Sequence, residues 1–271
     1  MKRAAIFATA GLFSFMLYLA ARSFASSAAV QPASDLSDRE GCAAPAPDQP
    51  LVLYGSNPLV PICSDVHVEA AATSEERESL QRGYARAVRI VEDALGTLQG
   101  ERPVVVFCKT RPCQEYFTGP TRRSWALAPG QQRAGATFRA GDRHTIVVNH
   151  VDSRASKVAA HEMVHIEFRF RKRGAATPAW FNEGVATHIA GEPDCSAAPP
   201  RGIEDLLQLQ SHDQWNRYTD EPDRLLPTYC QARTEIEAWV ERNEPNRLST
   251  LLDAVRDGTP FTDAYGPMLT Q

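Results

Sequence analysis

The sequence predicts an α+β domain in which a small mixed sheet carries one signature helix and is followed by a helical C-terminal half. Three observations predict it. The β-branched apolar runs, such as Val104–Phe107 and His144–Asn149, all lie ahead of residue 150. Helical periodicity dominates after them, and leading strands with trailing helices are the mark of segregated α+β architecture. Where the two regimes meet stands His161-Glu162-Met163-Val164-His165, the HExxH helix.

The elements follow in order. Met1-Lys2-Arg3 is basic and residues 4–21 are almost wholly apolar, with small residues after them. Residues 1–28 therefore read as a signal peptide or signal-anchor. The small residues favour cleavage, while the length of the apolar run also fits anchoring in a membrane. In either case Lys2 and Arg3 stay cytoplasmic and the remainder is exported. Residues 29–50 form an Ala/Pro/Ser-rich linker with little to bury, and residues 51–271 form the folded domain. Leu51–Tyr54 and Cys63–Val68 read as short strands. Thr73 to Leu98 is an amphipathic helix, opened by a Thr73/Glu76 capping box and stopped by Gly100 and Pro103. Val104–Phe107 is a buried strand and residues 109–133 a loop. Gly135–Arg139 and His144–Asn149 pair as a hairpin through Ala140-Gly141-Asp142-Arg143.

Ser153 to Arg171 is the signature helix. Thr177, as N-cap, and Pro178, as first residue, open the next helix, which runs to Ala190. Helices Ile203–Gln214, Thr228–Arg242 and Pro245–Asp257 follow, with a short one from Thr259-Pro260. The chain has 271 residues, 43% hydrophobic, which suffices for a real core. A formal charge of −4 argues against nucleic acid as a partner. Arg169–Arg173 is the solvated end of a helix. The sequence carries no sign of oligomeric state. Six cysteines in an exported chain, with no Cys-x-x-Cys, indicate disulfides. Cys108–Cys113 is the natural local pair, and Cys42–Cys63 with Cys195–Cys230 would complete the set.

His161 and His165 lie four apart, on one face of their helix. Glu183, in the second turn of the following helix, supplies a third ligand of the type a catalytic zinc ion takes. Such a zinc ion (Zn2+) activates a water, and Glu162 is placed to act as its general base. A peptide or protein is the expected substrate. The two competing readings are a non-catalytic binding or assembly protein on the same scaffold and a zinc amidase acting on a cell-wall amide. Thr187, four after Glu183, is placed to accept from His161. His188 is a neighbour rather than a ligand. His67, His144, His150 and His212 are read as non-ligands, with His150 near enough to the signature helix to line the cleft.

The stretches Ala160-His161-Glu162-Met163-Val164-His165 and Pro178-Ala179-Trp180-Phe181-Asn182-Glu183-Gly184-Val185-Ala186-Thr187 resemble the gluzincin zinc metallopeptidases. The likeness is greatest to the peptidase MA-like domains related to the aminopeptidase N group. That resemblance implies a zincin-like fold, with His161, His165 and Glu183 as zinc ligands and Glu162 as the base. It also implies a tyrosine that stabilises the oxyanion. Tyr229 is the best match, at the start of its helix, and Tyr218 the weaker one. The resemblance further implies that an extended peptide pairs with a sheet edge, here Thr145–Asn149. Residues 166–182 separate His165 from Glu183, one fewer than is usual in the aminopeptidase N group. The Gly-x-Met-Glu-Asn grip on a substrate amino terminus is absent, so the resemblance implies an endopeptidase rather than an aminopeptidase.

Overall fold

A six-stranded sheet, in the order β1-β2-β3-β4-β6-β5, forms one layer of the fold. Its strands are β1 (Leu53–Tyr54), β2 (Asn57–Cys63), β3 (Val66–Glu69), β4 (Val104–Phe107), β5 (Gly135–Ala140) and β6 (Arg143–Val148). β3, β4 and β6 run parallel, and the other pairs are antiparallel. The computed structural model describes residues 42–45, 53–54, 57–118, 135–140, 143–196, 203–243 and 247–266. The expected signal segment, nearly all of the linker and the 141–142 link lie outside these. No helix among the described residues is long and apolar enough to cross a membrane.

β4 shows why the central strands lack hydrophobic alternation: both faces of the sheet are covered. Val105 and Phe107 join Val66, Val68, Ile146 and Val148 in the main core. Val104, Val106 and Val147 turn to the opposite face, where Cys113 and Phe117 cover them. On the main-core side lies α1 (Ser74–Leu95), which buries Leu80, Tyr84, Val88, Val91 and Leu95. The expected capping box is present, with the Thr73 backbone donating to Glu76 at 2.6 Å and Glu76 N donating to Thr73 Oγ1 at 3.2 Å. The helix ends earlier than its apolar spacing suggests, because Gly96 takes a left-handed φ of 80°.

Three expectations for the strand half are corrected. Cys63–Val68 is a hairpin: β2 ends at Cys63 and β3 begins at Val66. Pro58 and Pro61 lie within β2 and mask it as a strand. The expected loop 109–133 contains α2 (Arg111–Thr118), two turns and so too short to show a period. Glu69 seats its start by accepting from the Lys109 and Thr110 amides, both at 2.8 Å. Finally, Thr145–Asn149 is not an edge. β6 is flanked by β4 on one side and pairs along its whole length with β5 on the other. Among the described residues the outer edge on this side of the sheet is β5.

The helical half opens with the signature helix α3 (Ala155–Lys172) and α4 (Ala179–Ala190). The single helix expected over Ile203–Gln214 is two, α5 (Ile203–Leu207) and α6 (His212–Thr219). Ser211 and Gln214 form a capping box that starts the second. α7 (Pro222–Glu241) opens at Pro222 rather than Thr228, so Pro227 lies inside it. The Thr228 hydroxyl donates to the Arg224 carbonyl at 2.6 Å there. α8 (Arg247–Arg256) and α9 (Phe261–Tyr265) close the core, α9 following Pro260 as expected. All three cysteine pairs form, Cys42–Cys63, Cys108–Cys113 and Cys195–Cys230, and they fit an oxidising environment.

Candidate metal centre

The rotation of α3 decides where its histidines point. Val158, Ala159, Ala160, Met163, Val164 and Phe168 face the core. The buried Glu167 then locks the helix by accepting from Arg171 Nε at 2.7 Å and from the Gln99 amide at 2.9 Å. Burying this ion pair is tolerable because each charge is hydrogen-bonded. His161 and His165 are half-buried on the stripe between Val158 and Phe168.

α4 presents Glu183 to them. Its cap differs from expectation: Pro178 is the N-cap residue, with no side-chain cap bond. The Thr177 hydroxyl instead donates to Asn182 Oδ1 at 2.7 Å and accepts from Lys172 Nζ at 2.8 Å. Lys172, Thr177 and Asn182 thus tie the end of α3 to the start of α4, one residue before Glu183. Gly184 lets α7 come close. A Cβ at this position would stand 2.7 Å from the Ala232 carbonyl oxygen and 2.9 Å from Ile236 Cγ1. The Cys195–Cys230 disulfide links the segment after α4 to the same helix.

The three ligand atoms form a small triangle. His161 Nε2 and His165 Nε2 are 3.1 Å apart. Glu183 Oε2 lies 3.4 Å from the first and 3.5 Å from the second. Tetrahedral zinc with bonds near 2.05 Å spaces its ligands by about 3.3–3.4 Å. The donor set and its spacing therefore fit that ion, and one tetrahedral position would be left open. No other such cluster of His, Cys, Asp and Glu occurs among the described residues.

Without a metal the cluster must hold a proton, since two imidazole nitrogens at 3.1 Å cannot both be bare acceptors. Burial opposes charge on His165, but Glu183 outweighs it and raises the His165 pKa above 6.5. Burial likewise opposes charge on Glu183, yet His165 and His161 hold its carboxyl well below the usual range.

The surrounding residues divide into those the fold brings in and those it does not. Glu162 is half-buried beside the triangle, and the Thr137 hydroxyl of β5 donates to its Oε2 at 2.5 Å. The Tyr229 ring lies 6.2 Å from the His161 ring and edge-on to Trp215 at 5.0 Å. Tyr229 sits within α7, not at its start. Tyr218 is engaged elsewhere, donating to Asp205 Oδ2 at 3.0 Å. His212, read from sequence as a non-ligand, sits at the start of α6 with Nδ1 3.7 Å from Glu183 Oε1. Thr187 is fully buried and its hydroxyl has no partner among the described residues, so the expected contact to His161 is absent. His188 lies 3.6 Å from Glu237 and His150 3.7 Å from Asp152. His67 and His144 are buried in the strand half.

Sequence reasoning missed Thr137 and His212. The only signal for Thr137 is its parity: it shares a face with Gly135 on a strand next to the signature helix. His212 follows the Ser211 cap, a boundary hidden inside an apparently continuous helix. No protein-family model, curated protein or solved structure significantly matches this chain.

Proposed function

We propose that this chain is an exported zinc metallopeptidase of zincin-like fold and gluzincin type, acting as an endopeptidase. One observation carries the reading: the ligand triangle of His161, His165 and Glu183, with sides of 3.1, 3.4 and 3.5 Å, has a carboxylate one residue from its first ligand. A structural zinc site closes its fourth position with a protein ligand. Among the described residues only His161, His165 and Glu183 cluster at ligand spacing, and Glu162 adjoins the first of them in the chain.

Bound zinc would supply a Lewis acid that polarises the scissile carbonyl and acidifies a water. The Glu162 carboxylate takes the proton of the attacking water and passes it to the leaving nitrogen. His161, His165 and Glu183 would hold the ion. Tyr229, beside His161, offers its hydroxyl to the oxygen on which negative charge develops. An extended substrate would add to the outer edge of β5 rather than to β6, its backbone pairing giving sequence-tolerant affinity. The three disulfides and the basic-then-apolar start of the chain support an exported setting.

The test is Glu162→Gln. The variant is expected to take up the same one zinc per chain as the wild type. Its hydrolysis of a peptide library should fall by about 10²–10⁴-fold, the range for loss of a general base. Equal cleavage by variant and wild type would refute the mechanism.

A further inference from the structure

Thr137 sits in a row that the fold otherwise makes apolar. On β6, Ile146 and Val148 point into the main core, and the register sets Thr137 against Ile146 and Gly135 against Val148. Gly135 and Thr137 therefore occupy the face of β5 that meets α3. Valine has the shape of threonine and suits a strand equally well. The hydroxyl is what distinguishes them, and it is bonded to Glu162 Oε2 at 2.5 Å. Two residues away, the backbone approaches the same carboxylate. A Cβ at Gly135 would stand 2.7 Å from Val158 Cγ1, 3.0 Å from Glu162 Oε1 and 3.1 Å from Glu162 Cγ.

We propose that Gly135 and Thr137 form the seat of the general base, with Thr137 as the positioning residue that aims Glu162. The inference rests on the metallopeptidase reading. The Thr137 O–H donates its one proton to Oε2 and fixes the rotation of the carboxylate. Gly135 leaves room for Oε1, which remains the acceptor for the proton taken from water. That proton later leaves Oε1 for the amine nitrogen, so the carboxylate and the hydroxyl end the cycle unchanged. Glu162 is one residue from a ligand and hangs on a three-bond side chain, so its reach is not fixed by α3 alone. A donor on a neighbouring strand supplies the missing constraint. Because β5 is also the outer edge, the strand that would pair with a substrate is the strand that holds the base.

The probe is acetohydroxamate, which chelates zinc through two oxygens and shares its bound proton with a neighbouring carboxylate. Its binding reports the aim of Glu162 without needing a known substrate. Calorimetry is run on the zinc-loaded full chain for the wild type, Thr137→Val, Thr137→Ser, Glu162→Gln and the Thr137→Val/Glu162→Gln double variant. Thr137→Val should retain the wild-type zinc content and bind acetohydroxamate about tenfold more weakly, the worth of a hydrogen bond to a charged group. Thr137→Ser should bind within about twofold of wild type, because it restores the same kind of donor. The double variant should bind no more weakly than Glu162→Gln alone, since Thr137 acts through Glu162. Unchanged affinity in Thr137→Val, or additive losses in the double variant, would overturn the proposal and leave the metallopeptidase reading standing. A folded wild type that takes up no zinc, or takes it up and ignores acetohydroxamate, would overturn both.

Discussion

The helical wall of the site, α4 and α7, and the strand wall, β5, are held in opposite ways. At Gly184 the two helices approach so closely that a methyl group would meet the backbone of Ala232 at 2.7 Å. The Cys195–Cys230 disulfide reinforces the same pair of elements. β5, by contrast, is held by one neighbouring strand and by the contacts of Gly135 and Thr137 with α3. Metal ligands tolerate little displacement, because bond lengths to the ion are fixed within a few tenths of an ångström. The three candidate ligands come from helices packed in the core. A substrate-pairing edge must keep its backbone groups free on one side, which an edge strand does by construction.

Between the two walls, the larger expected effect falls on the helical one. Tyr229→Phe removes one hydroxyl from a ring whose centroid is 6.2 Å from that of His161 and leaves the ring packed on Trp215. Turnover should fall by about 10²–10³-fold, the cost of losing an oxyanion donor, while zinc content stays unchanged. An unaffected kcat would reduce Tyr229 to packing and leave α7 with a purely mechanical role in the comparison.

The two walls also differed in how readily the sequence disclosed them. His161 and His165 are legible because helical spacing alone puts them on one face. Glu183 is legible from the punctuation at Thr177-Pro178, although Pro178 rather than Thr177 proves to be the cap. The cysteine pairs follow simple sequence proximity and form as expected. These are local signals. Thr137 is not local: its meaning depends on β5 being an edge and on the register of β5 against β6. The same dependence misplaced the edge onto Thr145–Asn149, since a hairpin can extend a sheet from either of its strands. His212 was hidden by a helix boundary, for the Ser211/Gln214 capping box lies between two apolar stretches that read as one. Pro58 and Pro61 concealed β2 for a further reason: a proline has no amide to give a ladder, so a run that holds two of them reads poorly as a strand.

Added bulk separates the walls by how each can yield. Gly184→Ala forces a methyl group against a backbone carbonyl, so α4 and α7 must part. Overpacking of this kind costs about 1–3 kcal/mol. For a domain of this size that is a fall of roughly 3–10 °C in Tm. Zinc affinity should fall with it, since Glu183 precedes the displaced residue. Gly135→Ala meets side-chain atoms of Val158 and Glu162 instead, which can rotate away. It should cost less metal affinity. Thermal unfolding and competition with a chromophoric chelator measure both. Equal losses of zinc affinity would mean that the strand wall is as tightly bound to the metal centre as the helical one.

The smallest effect is a slope, and it belongs to the ligands alone. In the metal-free site Glu183 raises the His165 pKa above 6.5 despite the burial that opposes it. Zinc can bind only after displacing that proton. A raised pKa keeps the proton in place to higher pH, so the competition extends further up the scale than for an ordinary histidine. Apparent zinc affinity should therefore climb about tenfold per pH unit while His165 remains protonated, and flatten above its pKa. Glu183 contributes nothing to the slope in this window, because its carboxyl is held well below 4.5 and stays ionised. Chelator competition across about pH 5.5–8.5 measures the curve. A flat line would mean that the His161–His165 contact carries no proton over that range. The same curve in Thr137→Val should be superimposable on wild type, because the hydroxyl touches the base and not the ligands. A shifted curve would show that β5 reaches the metal centre through more than Glu162, and the division between the two walls would fail.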